Sequence, residues 1–167
     1  MILYPSAEAH SCESIDFKKL YEKGYRGIIF DIDNTLVPHG APADKKAIEF
    51  FKYLKKIGFK TCLISNNSKE RVLPFAKAVG AKAVWKANKP AGRNYLLACR
   101  QMKTDRTNTV FVGDQIFTDV LGANLAGIPS ILVEPIHPKE EIQIVLKRYL
   151  EKIVLFFYHR KKRGGIL

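Results

Sequence analysis

The chain has 167 residues, 47% of them hydrophobic and 26% charged, enough to bury one sizeable core and typical of a soluble globular domain rather than a disordered or fibrous chain. No apolar run reaches the ~18 residues of a membrane span, and the opening MILYPSAEAHSCES lacks the basic and apolar regions of a secretory signal, which points to the cytoplasm. The net charge of +12 favours partners that are polyanions or anionic surfaces: nucleic acid, acidic lipid or phosphorylated substrates.

In chain order, the first strand expected is 26–31 (RGIIFD), a near-continuous apolar run of the kind buried on both faces of a sheet. Ala47, Phe51, Leu54 and Ile57 then recur at helical spacing, with Asp44 placed to cap the start of a helix and Gly58 to end it. A second strand at 59–65 (FKTCLIS) completes a βαβ unit. A helix over 69–80, a short strand at 81–85, a helix over 92–102, a strand at 109–114 (TVFVGD), a helix over 117–127 and a strand at 130–134 repeat the pattern. Five strands with intervening helices predict an α/β fold, a doubly wound parallel sheet with helices on both faces. Cys12, Cys62 and Cys99 are too scattered for a disulfide framework or a thiolate metal site and read as reduced thiols, Cys62 buried in its strand; the four histidines lack the spacing of a zinc helix.

Ligands of such sheets bind beyond the carboxyl ends of the strands. Every polar cluster falls there: Asp31-Ile32-Asp33-Asn34-Thr35 after the first strand, Ser65-Asn66-Asn67 after the second, Lys89-Pro90 after the third, and Gly113-Asp114 with Asp119 after the fourth. Four converging carboxylates repel one another unless a cation offsets them. Mg2+ suits this donor set, because it takes hard oxygen ligands and shares its remaining positions with phosphate oxygens. Phosphoryl transfer assigns the roles: Asp31 attacks phosphorus, Asp33 protonates the leaving oxygen and later activates water, and Lys89 supplies a second positive charge. The Ser65 hydroxyl and Asn66 N–H hold a phosphoryl oxygen, Asp114 completes the metal site, and Asp119 orients its neighbours from behind the ligands. Taken singly, Ser65, Asn66 or Asp119 is an ordinary turn or cap residue and Lys89 an ordinary solvated lysine. The ordered set, each member at a strand end, is what points to chemistry.

These residues resemble the four motifs of the haloacid dehalogenase superfamily, matched over about residues 25–134. The resemblance implies a Rossmann-like sheet, Asp31 as nucleophile, Asp33 as acid and base, and Mg2+ held by Asp31, Asp114 and the backbone carbonyl of Asp33. It also implies substrate contacts from Thr35, Ser65, Asn66 and Lys89. An aspartate at position 33 resembles the phosphatase branch. The runs GIIFDIDNTLVPHG, LISNNS and VFVGDQIFTDVLGAN are similar to the capless YqeG-type phosphatases, which resemble fungal mitochondrial phosphatidylglycerophosphate phosphatases.

The gaps from Asp33 to Ser65 and from Ser65 to Lys89 are each shorter than the about 40 residues that a small folded domain needs, so no cap domain is expected. An open site favours a phosphate carried on something large: a lipid headgroup, a protein or a nucleic acid. Residues 1–138 are expected to form the phosphatase domain, and 139–167 a basic amphipathic helix and tail of the same unit, with +5 of the net charge. Gln143, Lys147, Arg148, Glu151 and Lys152 are assigned to its polar face, and Val145, Leu146, Tyr149, Leu150, Ile153, Val154 and Phe157 to its apolar face. Such a helix either packs on the domain or lies on an anionic membrane, here the inner face of the cell membrane. A phosphatidylglycerophosphate phosphatase is therefore the leading expectation. Action on nucleic-acid ends or another soluble phosphate is the alternative, ranked behind it because no nucleic-acid recognition module is visible, and a non-catalytic basic adaptor comes last. His39, in the flap at 37–41, reads as an exposed loop residue.

Overall fold

The computed structural model describes residues 2–137 and 142–164. The chain runs β1 (Ala7–Ala9), α1 (Phe17–Glu22), β2 (Gly27–Phe30), α2 (Lys45–Ile57), β3 (Lys60–Ile64), α3 (Lys69–Val79), β4 (Lys82–Val84), α4 (Gly92–Met102) and β5 (Thr109–Gly113). A π-helical turn (Ile116–Val120) then leads into α5 (Leu121–Leu125), β6 (Ser130–Val133) and α6 (Ile142–Gly164). All strand pairs are parallel, in the order β1-β6-β5-β2-β3-β4.

The expected α/β sheet is present, with one strand more than the five expected. β1 is a three-residue edge strand of sequence AEA, mostly exposed, whose composition carries almost no strand preference. It is made by pairing with β6, Ala7 opposite Ile131 and Ala9 opposite Val133. α2 ends where its sequence indicates: the Asp44 side chain accepts from Ala47 N at 2.7 Å, and Gly58 takes a left-handed φ of 118°. The helix expected over 117–127 is instead divided. A π turn, in which Val120 N donates to Gln115 O at 3.1 Å, precedes a short α5.

Alternation along the central strands builds an apolar layer on each face of the sheet. Ile28 and Phe30 of β2 join Phe17, Phe50, Phe51, Leu54 and Phe75 on one side, while Ile29 joins Tyr95, Ala98, Phe111 and Ala123 on the other. Cys62 is buried in β3, and all three cysteines are free. β2 lies between β3 and β5, so the chain reverses its direction of travel across the sheet beside β2. The carboxyl ends of β2 and β5 border the resulting crevice. α2 and β3 fill the interval from the flap to Ser65, and α3 and β4 that from Ser65 to Lys89, with no inserted domain in either.

In α6 two residues assigned from the sequence to the polar face turn to the domain, and most of the apolar face turns away from it. Arg148 and Glu151 point inward, Val154 and Leu155 pack against Ile116, Val120 and Leu132, and Tyr158 stacks edge-on with Tyr4 at 5.2 Å. Leu146, Tyr149, Leu150, Ile153 and Phe157, together with Phe156, face solvent. An amphipathicity argument sends the apolar stripe to the core, but here a buried ion pair draws the other side of the helix inward. The Gln143 side chain, residues 138–141 and the tail after 164 lie outside the described residues. No described helix is long and apolar enough to cross a membrane.

Candidate active site

Asp31 follows β2 and Asp114 follows β5, two strands in register with Phe30 opposite Val112, so backbone pairing alone brings the two carboxylates together. Asp31 N donates to Val112 O at 3.0 Å, extending the ladder by one bond. Thr35 turns back over both: its Oγ1 lies 3.1 Å from Asp31 Oδ2 and 3.1 Å from Asp114 Oδ1, and its one hydrogen serves either. Lys89 Nζ donates to Asp31 Oδ1 and to Asp119 Oδ1, each at 2.6 Å, with all three side chains nearly sealed from solvent. The other Asp119 oxygen accepts from Asp114 N and Gln115 N, both at 3.1 Å. The π turn permits this by bringing the Asp119 carboxylate back onto the start of its own loop. Gly113 belongs to the same arrangement, because a Cβ there would lie 2.5 Å from Asp119 Oδ2.

Asp31, Asp114 and Asp119 offer carboxylate oxygens that all lie within 4.8 Å of one another, and all three residues are buried. Burial, followed by the charges of Asp31 and Asp119, holds the Asp114 carboxyl well above the ordinary carboxylate range; Arg148 opposes the shift without cancelling it. Burial likewise raises Asp31, with Lys89 pulling the other way. Burial pulls Lys89 down, but Asp119 and Asp31 outweigh it and keep its ammonium well above its usual range. Three hard oxygen donors in a pocket that resists the ionisation of Asp31 and Asp114 are suited to a divalent cation. Both Asp119 oxygens are held by Lys89 and two backbone N–H groups, whereas Asp31 Oδ2 and Asp114 Oδ1 share the single Thr35 hydroxyl hydrogen, which leaves Asp31 and Asp114 as the carboxylates best placed to face a metal.

The structure puts the remaining expected residues around this cluster. Ser65, buried at the end of β3, accepts from Asn67 N at 3.1 Å through Oγ, so its own hydrogen can go to another oxygen. The Asn66 side chain clamps the Lys89 backbone, accepting from Lys89 N at 2.6 Å. The Asp33 carboxylate is half-buried outside the triad, where it accepts from Gly40 N at 2.7 Å, Asn67 Nδ2 at 2.8 Å and Arg71 Nη2 at 2.9 Å. His39 is exposed in the adjoining loop.

Four residues of the site are given no role in it by the sequence. Asn67 and Arg71 hold Asp33. Arg148, from α6, donates to the Asp114 carboxylate and, at 2.5 Å, to its main-chain carbonyl. Glu151, which is buried, accepts from Arg148 Nη1 at 3.0 Å and from Ile116 N at 2.7 Å. Their i, i+3 spacing is the one available sequence signal, and surface helices show it routinely.

Residues 40–127 match the family of haloacid dehalogenase-like hydrolases. The chain is 38% identical over 145 residues to the "Probable phosphatase YqeG" of Bacillus subtilis, covering 86% of this chain and 84% of that protein. It is 28% identical over 177 aligned positions to the "Phosphatidylglycerophosphate phosphatase 1, chloroplastic/mitochondrial" of Arabidopsis thaliana, covering 97% of this chain but only 49% of that protein. Among solved structures, a Streptomyces avermitilis protein described as a HAD family hydrolase superposes with a TM-score of 0.52 at 11% identity, over 78% of this chain and 72% of that one, a likeness of fold alone. The motif residues at the strand ends and the match over most of both chains agree: the chain belongs to the haloacid dehalogenase-like hydrolase family and, within it, to the phosphatases related to YqeG.

Proposed function

We propose that the protein is a Mg2+-dependent phosphomonoesterase that works through a phosphoaspartate on Asp31 and acts on phosphatidylglycerophosphate. The observation that carries the reading is the buried Asp31–Lys89–Asp119 ion pairing beside Asp114, at the crevice of an uncapped sheet. Asp31 and Asp114, with the backbone carbonyl of Asp33, would hold the metal, which when bound offsets charge on the phosphoryl oxygens.

In the first half-reaction an Asp31 carboxylate oxygen forms a bond to phosphorus while the ester P–O bond breaks. Asp33, protonated and swung from its Arg71 and Asn67 contacts, gives its proton to the departing alkoxide. Lys89 keeps the Asp31 carboxylate ionised and fixed in direction, and Asp119 in turn fixes Lys89. Ser65 and Asn66 donate to the phosphoryl oxygens, with Thr35 orienting Asp31. In the second half-reaction Asp33 takes a proton from water as its oxygen attacks phosphorus. The acyl-phosphate bond breaks, phosphate leaves and Asp31 is restored.

The lipid substrate is supported by the missing cap, by the basic and apolar helix beside the site, and by the likeness to the plant enzyme. The test is Mg2+-dependent phosphate release from phosphatidylglycerophosphate in mixed micelles, with glycerol 3-phosphate and a 5′-phosphorylated oligonucleotide alongside, for the natural chain and Asp31→Asn. Preferential turnover of the lipid, lost in the variant, is expected. Turnover confined to a soluble phosphate or to the oligonucleotide would discard the lipid.

A further inference from the structure

Leu146, Tyr149, Leu150, Ile153, Phe156 and Phe157 form one stripe along the outer side of α6, each between 54% and 64% exposed. Their spacing follows the helical repeat, and the opposite side, carrying Arg148, Glu151, Leu155 and Tyr158, is the one that packs on the domain. A continuous row of large apolar side chains facing water marks an interaction surface. Exposed Lys147, Lys152, Arg160, Lys161 and Lys162 flank it. Among the described side chains of α6 the one acidic residue is Glu151, and it is buried on the inner face.

We propose that this outer face of α6 docks on an anionic lipid bilayer and thereby sets the catalytic pocket at headgroup level; the second part rests on the lipid-phosphate reading of the site. Charge selects the occupant. A second copy of the chain would bring its own basic flanks against these, in a protein of net charge +12, whereas acidic headgroups complement them. The apolar stripe enters the boundary between headgroups and acyl chains, and the basic flanks stay in the headgroup layer. A helix about 10 Å across, sunk about 5–10 Å into that boundary, leaves its opposite face at the height of the lipid phosphates. That opposite face is where Arg148 meets Asp114. A phosphate on a lipid headgroup then reaches the crevice without its acyl chains leaving the membrane.

The experiment is co-sedimentation of the full chain with vesicles of phosphatidylcholine alone or mixed with phosphatidylglycerol. It compares the natural chain with Leu150→Glu/Ile153→Glu and with Lys161→Glu/Lys162→Glu, and runs alongside sedimentation velocity and hydrolysis of a soluble phosphomonoester. All four side chains point to solvent, so melting temperatures are expected to stay level. Binding to the mixed vesicles but not the neutral ones is expected, lowered about tenfold or more by either pair, with soluble-ester turnover unchanged. Absence of vesicle binding, or equal binding to neutral vesicles, would overturn the proposal. So would a dimer that Leu150→Glu/Ile153→Glu dissociates, since the stripe would then join two copies. Vesicle binding without hydrolysis of phosphatidylglycerophosphate in micelles would remove the substrate reading and leave the docking face standing; micellar hydrolysis without vesicle binding would do the reverse.

Discussion

Arg71 Nη2 donates to Asp33 Oδ1 at 2.9 Å, with the two side chains 19% and 12% exposed, so the residue read as the acid and base is held in place, outside the Asp31–Asp114–Asp119 cluster, by a guanidinium from α3. Protonating a leaving alkoxide requires Asp33 to leave this contact and take up a proton. Asp33→Asn is therefore expected to lower kcat on an alkyl phosphate by about 10²–10⁴-fold. The loss should be far smaller on p-nitrophenyl phosphate, whose leaving group departs without a proton. Arg71→Met should disturb the alkyl ester more than the aryl ester in the same sense. Equal losses on both esters would place Asp33 outside proton transfer.

The chemistry is legible in the sequence where one residue type must follow one strand: Asp31, Ser65, Lys89 and Asp114 each sit at a strand end, and apolar runs locate the strands. Residues that act across the fold leave no such mark. Arg148 meets Asp114 over 34 positions of chain, and nothing in KRYLEK distinguishes an inward arginine from a solvated one. β1 is hidden for the same reason, since AEA becomes a strand only beside β6. The direction of the α6 stripe is open in the sequence because amphipathic patterning groups apolar residues on one face without saying what that face meets.

Arg148 and Glu151 tie α6 to the catalytic loop, and removing either partner strands a buried group. Arg148→Ala leaves the Asp114 carboxylate, whose side chain is 0% exposed, without its guanidinium, and is expected to cost about 3–5 kcal/mol in urea unfolding. Glu151→Ala leaves Ile116 N without its acceptor and Arg148 with one carboxylate fewer, and is expected to cost about 1–3 kcal/mol. A loss under about 0.5 kcal/mol for both, the level of an ordinary surface substitution, would mean that α6 does not support the loop.

Gly113 tests the packing behind the π turn. A methyl there would fall 2.5 Å from Asp119 Oδ2, which cannot yield without loosening the Asp114 and Gln115 N–H bonds, and 2.7 Å from Cε1 of the fully buried Phe111. Gly113→Ala is expected to lower stability by about 1–3 kcal/mol and to reduce turnover as well, because Asp119 also anchors Lys89. Full activity in a folded Gly113→Ala protein would show that the loop tolerates displacement.

The buried carboxylates set the pH response of the protein held in chelator. Burial first, then neighbouring charge, pushes Asp31 up to about 6 and Asp114 up to about 8, from an ordinary 3.8. Between the unfolded and folded values the folded chain binds more protons than the unfolded one. The stabilisation from these groups is therefore complete below about 4 and is lost as the pH rises through about 6 and then about 8. Mg2+ competes with those protons, so the metal stabilises more as the pH rises. Thermal melts across this range, in chelator and in excess Mg2+, are expected to diverge with increasing pH, and Asp114→Asn should remove most of the divergence. A gap that stays constant with pH, or one that Asp114→Asn leaves intact, would show that the protons and the metal do not share this carboxylate.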